Sequence, residues 1–318
     1  MNIAFVGKGG SGKSTVSLLF IKHLSEMGER VLAIDADINM HLADLLSIQR
    51  DDARALSYGI NPLAIREYLI GRNRRITCPK SFIKTTPPGE GSNFISLKED
   101  NPIVRRYATQ FSGTNFFMHV GTYQEDEIGT SCYHSNLSIF ENVVSHTVTR
   151  DHEWLVADMV AGTDAFAGPL YFLFDILFLV VEPTPEALSV YEQFKKLAEK
   201  GGTWDRVLVI GNKVQDDDDL RYIQERVRSK LCAVIPSIPA IKKARQNNST
   251  LHPTELGLQN TLLDISTLLC DKGSDPDATL HLLHALHRKH AQEDYIIARH
   301  GNLTEQIDPL FSFKHNVS

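Results

Sequence analysis

Gly7-Lys8-Gly9-Gly10-Ser11-Gly12-Lys13-Ser14-Thr15 decides the fold. An apolar run ends just before it, and residues 16–27 after it carry a helical pattern. A glycine-rich turn between strand and helix lets successive backbone N–H groups curl onto phosphate oxygens, and the helix amino terminus adds its dipole. In that arrangement Gly9, Gly10, Ser11 and Gly12 form the cradle and Lys13 lies on the β- and γ-phosphates. Ser14 gives its hydroxyl to Mg²⁺, and Thr15 meets the α-phosphate. The alternative, a glycine turn with no ligand, leaves the strand–loop–helix context unexplained.

Working outward, short apolar runs recur at residues 2–6, 31–35, 116–120, 154–158, 176–181, 207–210 and 232–235, with helical pattern between them. Most are apolar along their whole length, as strands of a parallel sheet covered on both faces are. The expected fold is therefore α/β: a doubly wound, mostly parallel seven-stranded sheet. Two stretches break the alternation. Residues 49–115 read as an insertion after the second strand, with loop chemistry at Thr85-Thr86-Pro87-Pro88-Gly89 and a basic patch at Arg72, Arg74 and Arg75. A solvated loop is the favoured reading there over a phosphate or nucleic-acid contact. Residues 273–318 read as a helical extension of a 1–272 ATPase domain. In it, His281, His284, His287 and His290 interleave with Leu280, Leu283 and Leu286. Steps of three drift around a helix, so a docking helix is favoured over a metal site.

Thirty-three basic against 39 acidic residues leave a net charge of -6, which supplies no general positive field for nucleic acid or anionic lipid. Neither a signal-peptide pattern nor a membrane-length apolar run is present, so no membrane partner and a cytoplasmic location are expected. The four cysteines are unpaired in pattern; Cys78, Cys232 and Cys270 read as packing residues.

With Lys8 ahead of Gly9-Gly10, the loop has the form Lys-Gly-Gly-x-Gly-Lys-Ser/Thr. It resembles the deviant Walker A ATPases, a family that includes ParA, MinD, the nitrogenase iron protein and the carbon monoxide dehydrogenase accessory ATPases. The resemblance spans roughly residues 1–245. It implies an ATP-bound sandwich homodimer in which Lys8 reaches the partner's nucleotide, a role suited to an early cation with no acid nearby in sequence. Ile34-Asp35-Ala36-Asp37 is similar to the family's Asp-x-Asp segment, which makes Asp37 the residue that orients or activates water and Asp35 a support of the Mg²⁺ shell. Ala157-Asp158-Met159-Val160-Ala161-Gly162 looks like Walker B and switch II, so Asp158 would hold a Mg²⁺-bound water and the Gly162 amide would sense the γ-phosphate. Gly211-Asn212-Lys213 resembles the base-recognition strand end, with Asn212 on the adenine edge. Gln215 stands where guanine-specific sites carry aspartate, which favours ATP. Pro236, in Val234-Ile235-Pro236-Ser237, would belong to the loop over the base.

Gly129-Thr130-Ser131-Cys132-Tyr133-His134 resembles the Cys-x-Cys place of the carbon monoxide dehydrogenase accessory group, with histidine as the second ligand. Cys132 and His134 from two subunits would complete a tetrahedral site for Zn²⁺ or Ni²⁺. The alternative is a buried cysteine and a helix-start histidine. The functional expectation is a switch ATPase coupled to metallocentre maturation or to remodelling of a client protein. A ParA/MinD-type positioning ATPase and an ATP-dependent synthetase on the same fold remain as alternatives.

Overall fold

Alternate residues of the central strand feed two separate cores: Ala4 and Val6 pack on one face of the sheet, Ile3 and Phe5 on the other. This two-sided burial explains the unbroken apolar runs. The computed structural model describes residues 1–123, 133–247 and 249–316, with backbone alone for 133–135 and 315–316. Ten strands are present among them: β1 (Asn2–Gly7), β2 (Arg30–Ala36), β3 (Ile95–Ser96), β4 (Thr109–Ser112), β5 (Asn115–His119), β6 (Thr147–Val148), β7 (Glu153–Met159), β8 (Ile176–Val181), β9 (Val207–Val214) and β10 (Leu231–Pro236).

Eight of these form one sheet in the order β10-β9-β8-β1-β7-β2-β5-β4, and β3 pairs with β6 apart from it. All seven expected strands are there, parallel. The eighth, β4, is an antiparallel edge strand joined to β5 by a tight turn in which Gly113 has φ of 50°. Its burial alternates, because one face is solvated, so it gives no apolar run to read. The helices Lys13–Glu26 and Gln259–Lys272 cover one face through Leu18, Phe20, Leu262 and Ile265. The helices Asn61–Ile70, Tyr133–Ser145, Pro185–Lys200 and Asp217–Val227 cover the other.

The expected solvated loop proves buried. Thr85, Thr86 and the residues through Gly89 lie beneath the chain's last segment. The Thr85 hydroxyl is 3.0 Å from His287 Nδ1 and 3.3 Å from His290 Nδ1, and Gln306 Nε2 donates to the Ser81 carbonyl at 2.9 Å. Arg75 faces Asp308 at 3.8 Å, so part of the basic patch serves this contact. The histidine-bearing helix, Pro276–His290, thus docks as the leucine pattern indicates, and the second helix, Asp294–His300, follows a break at Glu293. Burial pushes His284 and His287 down to about 4, and lowers His290 as well. Of the three cysteines read as packing residues, only Cys232 is half-buried; Cys78 and Cys270 are exposed.

Candidate nucleotide site

Parallel strands end their carboxyl ends on one edge of the sheet, and β1 releases the glycine loop there between β7 and β8. Gly10 and Gly12 take φ of 85° and 92°, a region that costs side-chain-bearing residues strain, and Gly12 directly precedes the helix Lys13–Glu26. A cavity of about 750 Å³ opens over the loop. It is lined by Gly9, Gly10 and Gly12 to Thr15 of the loop, by Asp37 and Asn39, by Asn212 and Lys213, and by Pro236 to Ile238.

Three carboxylates meet beside the loop. Asp35 and Asp158 are direct neighbours across β2 and β7, and both are wholly buried. Asp37, just past β2, holds Lys13 Nζ at 2.5 Å and accepts both the backbone and side-chain amides of Asn39, at 3.0 and 3.1 Å. Among the described residues neither oxygen of Asp158 makes a hydrogen bond of ordinary geometry, though the Ser14 hydroxyl stands close enough to favour its charged form. Burial drives its pKa up to about 7; Lys13 and Ser14 oppose that rise and Asp37 adds to it. Burial, then the neighbouring Asp158, also raises Asp35 well above the usual carboxylate range, against the backbone amides of Leu42 and Asp37.

A buried carboxylate facing Ser14 and a lysine suits a hard divalent cation bound largely through water and phosphate oxygens. Among the described residues no three His, Cys, Asp or Glu side chains converge on a metal position of their own. Mg²⁺ would therefore rest on the Ser14 hydroxyl and on the nucleotide, with Asp158 behind a water.

Several expected residues have partners that the sequence does not reveal. Asp35 spends its oxygens on the amides of Asp37 and Leu42, at 3.2 and 2.8 Å, so it acts first as a brace of the turn after β2. Asn212 Nδ2 donates to the Ser11 carbonyl at 2.7 Å, and Lys213 Nζ donates to the Gly10 carbonyl at 2.6 Å. Both support the loop while also lining the cavity, and among the described residues the Asn212 amide oxygen makes no hydrogen bond that competes with a base. The Gly162 amide donates to the Gly7 carbonyl at 2.9 Å, so a γ-phosphate would have to draw it away. Lys8 does have an acid nearby: Glu182, at 3.6 Å, which also binds Lys213 at 3.0 Å. Glu182 directly follows β8, the same signal that marks Asp158, a carboxylate at a parallel strand's carboxyl end. Cys132 lies outside the described residues, and of His134 only the backbone, in the first turn of Tyr133–Ser145, is described.

The comparisons with known proteins agree with this geometry. Residues 3–251 match the family model "CobQ/CobB/MinD/ParA nucleotide binding domain". The carbon monoxide dehydrogenase accessory protein CooC of Rhodospirillum rubrum is 29% identical over 247 residues, which are 77% of this chain and 87% of that protein. Among solved structures, the ParA family ATPase of Chlorobium tepidum superposes with a TM-score of 0.59 at 15% identity, over 84% of this chain and 98% of its own. The septum site-determining protein MinD of Pyrococcus horikoshii, complexed with Mg-ADP, does so with 0.54 at 18% identity, over 86% and 100%. At those identities the superpositions speak for the fold alone, whereas the family model spans most of the chain and includes every residue of the glycine loop. The chain belongs to the CobQ/CobB/MinD/ParA nucleotide-binding family, as a P-loop protein of that group.

Proposed function

We propose that this chain is a MgATP-hydrolysing switch that closes as a homodimer and serves metallocentre maturation through a client protein. The Lys13–Asp37 ion pair beside the buried Asp158 carboxylate carries this reading. A triphosphate in the loop offers Lys13 several anionic oxygens, and the ammonium leaves Asp37 for the β- and γ-phosphates. Asp37, still oriented by Asn39, then accepts a hydrogen bond from a water in line with the γ-phosphorus. The water oxygen bonds to phosphorus as the bond to the ADP oxygen breaks, and the water's proton passes to solvent through Asp37. Mg²⁺, when bound, neutralises charge on the phosphates and on the bridging oxygen.

Two contacts would report the nucleotide's state. The Gly162 amide exchanges the Gly7 carbonyl for a γ-phosphate oxygen, which moves the segment after β7. Lys8 exchanges Glu182 for the partner's nucleotide. The maturation role is supported by the resemblance of Cys132 and His134 to a shared metal pair and by the similarity to CooC, itself named as an accessory protein. Asp37→Asn tests the hydrolytic part: turnover should fall at least ~100-fold, within the range usual for losing a general base, with nucleotide binding retained. Unchanged turnover would remove Asp37 from the chemistry. For the metal role, size-exclusion chromatography of wild type and Cys132→Ala with an ATP analogue is combined with elemental analysis of the peaks. A metal-bearing wild-type dimer beside a metal-free variant supports maturation; a metal-free dimer in both sinks it.

A further inference from the structure

A second cleft lies at the opposite edge of the sheet from the nucleotide loop, where the strands begin. It holds about 630 Å³, within the range of small-molecule sites, and Asn2, Trp154 and Asp175 form its floor. Its roof is built from Leu280 and Leu283 of the helix Pro276–His290 and from Phe313. These residues lie beyond position 251, where the family match ends, so the cleft's roof is supplied by this chain's extension over a floor and wall that belong to the matched domain. The roof is tied down: Ser312 Oγ and the Phe313 amide both donate to Asp277, at 3.0 and 2.7 Å.

The polar groups on its floor are already committed to one another. Asp175 accepts from the Asn2 amide and from Ser274 Oγ, both at 2.7 Å. Glu153 accepts from Arg30 and from the Arg150 amide, at 2.8 and 3.1 Å, and Glu29 accepts from Trp154 Nε1 at 2.8 Å and pairs with His152 at 2.9 Å. The Met1 ammonium is held by Thr149 Oγ1 and the Glu153 carbonyl, at 2.8 and 2.7 Å. What stays uncommitted stands at the rim. Among the described residues neither the Arg150 guanidinium nor the Lys314 ammonium makes a hydrogen bond or ion pair, and both are exposed. The lining acids Glu29, Asp151, Glu153 and Asp175 offset the cations in sum, so an anionic head would be placed by the two unpaired side chains at the rim and not by the net charge of the cleft.

We infer that this cleft binds a small amphipathic anion, an apolar body lying between Val148, Leu173, Leu280 and Phe313 with a carboxylate or phosphate head at Arg150 and Lys314. An apolar body of that size fits walls of this kind, and a guanidinium grips either head through paired N–H donors. The inference does not depend on the ATPase reading, since it concerns the other end of the sheet.

Decanoate, decyl phosphate and decylamine serve as probes in calorimetric titrations of the full chain, with binding of a fluorescent ATP analogue measured in parallel. Expected is saturable one-site binding of decanoate or decyl phosphate, the tighter of the two naming the preferred head, with decylamine at least ~10-fold weaker, the factor that about 1.4 kcal/mol of charge preference gives. Reversing the rim with Arg150→Glu and Lys314→Glu should remove that preference without changing ATP-analogue affinity. Val148→Trp, which fills the cleft, should abolish binding of all three. If that variant fails to fold, the rim pair, which alters only exposed side chains, decides the matter. No saturable binding of either anion, or the same affinities in wild type and the rim variant, overturns the inference.

Discussion

Asp158→Asn should make the protein more stable and less able to use MgATP. The wild-type carboxylate is wholly buried with no hydrogen bond of ordinary geometry among the described residues, and burial, opposed by Lys13 and Ser14, pushes its pKa up to about 7 against a reference value of 3.8. A group whose folded pKa lies above its unfolded one binds more protons in the folded state, so its cost appears as pH rises from about 4 and levels off above about 7. Some three pH units at 1.36 kcal/mol each set an upper bound of about 4 kcal/mol at pH 8, shrinking below about 1 kcal/mol at pH 4. The neutral amide of asparagine avoids that cost but brings its own unsatisfied groups, worth about 1–3 kcal/mol. A net gain of about 1–2 kcal/mol at pH 8 is therefore expected, with none at pH 4. Urea unfolding in EDTA without nucleotide, at both pH values, measures it as a shift of midpoint at constant slope. Destabilisation by more than about 1 kcal/mol at pH 8, or a gain of equal size at both pH values, would refute the reasoning.

Gly12→Ala should abolish nucleotide binding while leaving the fold largely intact: φ of 92° strains alanine, and its methyl would meet the Asn212 amide that supports the Ser11 carbonyl. Fluorescent-nucleotide titration and circular dichroism separate the two effects. Acid should loosen the C-terminal extension before the sheet. Buried His284 and His287 have folded pKa values of about 4, below their unfolded value, so the stability they confer is whole above about pH 6.5 and is lost as pH falls toward 4. Hydrogen exchange at pH 5 should then rise in Pro276–His290 ahead of β1, and equal rises would contradict this. Thr85→Val, which removes the hydroxyl facing His287 and His290, should cost about 1–3 kcal/mol by leaving buried ring nitrogens unpaired. Its thermal midpoint reports the loss, and an unchanged midpoint would mean that water replaces the hydroxyl.

The parallel sheet and the glycine loop were legible because both rest on local patterns: unbroken apolar runs, and glycines between a strand and a helix. Asp158 was legible for a related reason, since the carboxyl end of a parallel strand is a ligand edge wherever it occurs. The partners were not. Glu182 lies 174 residues from Lys8, and no pattern around either one announces their pairing. Asn212 supports Ser11, a contact across 201 residues that depends on how β9 registers beside β8. Thr85 to Gly89 has the composition of a solvated turn, yet the extension buries it, because helix docking between segments about 200 residues apart leaves no local trace. The edge strand β4 escaped notice since one wet face dilutes its apolar content.

Glu182 accepts two lysines on two different oxygens, and only one of them also supports the phosphate loop. Were Lys8 to swing across to a neighbouring subunit, Lys213 would stay behind, and the carboxylate would remain neutralised. Its departure would expose no bare anion to repel incoming phosphates. The arrangement resembles a mooring with two lines, in which the free one can be cast off while the other keeps the loop in place.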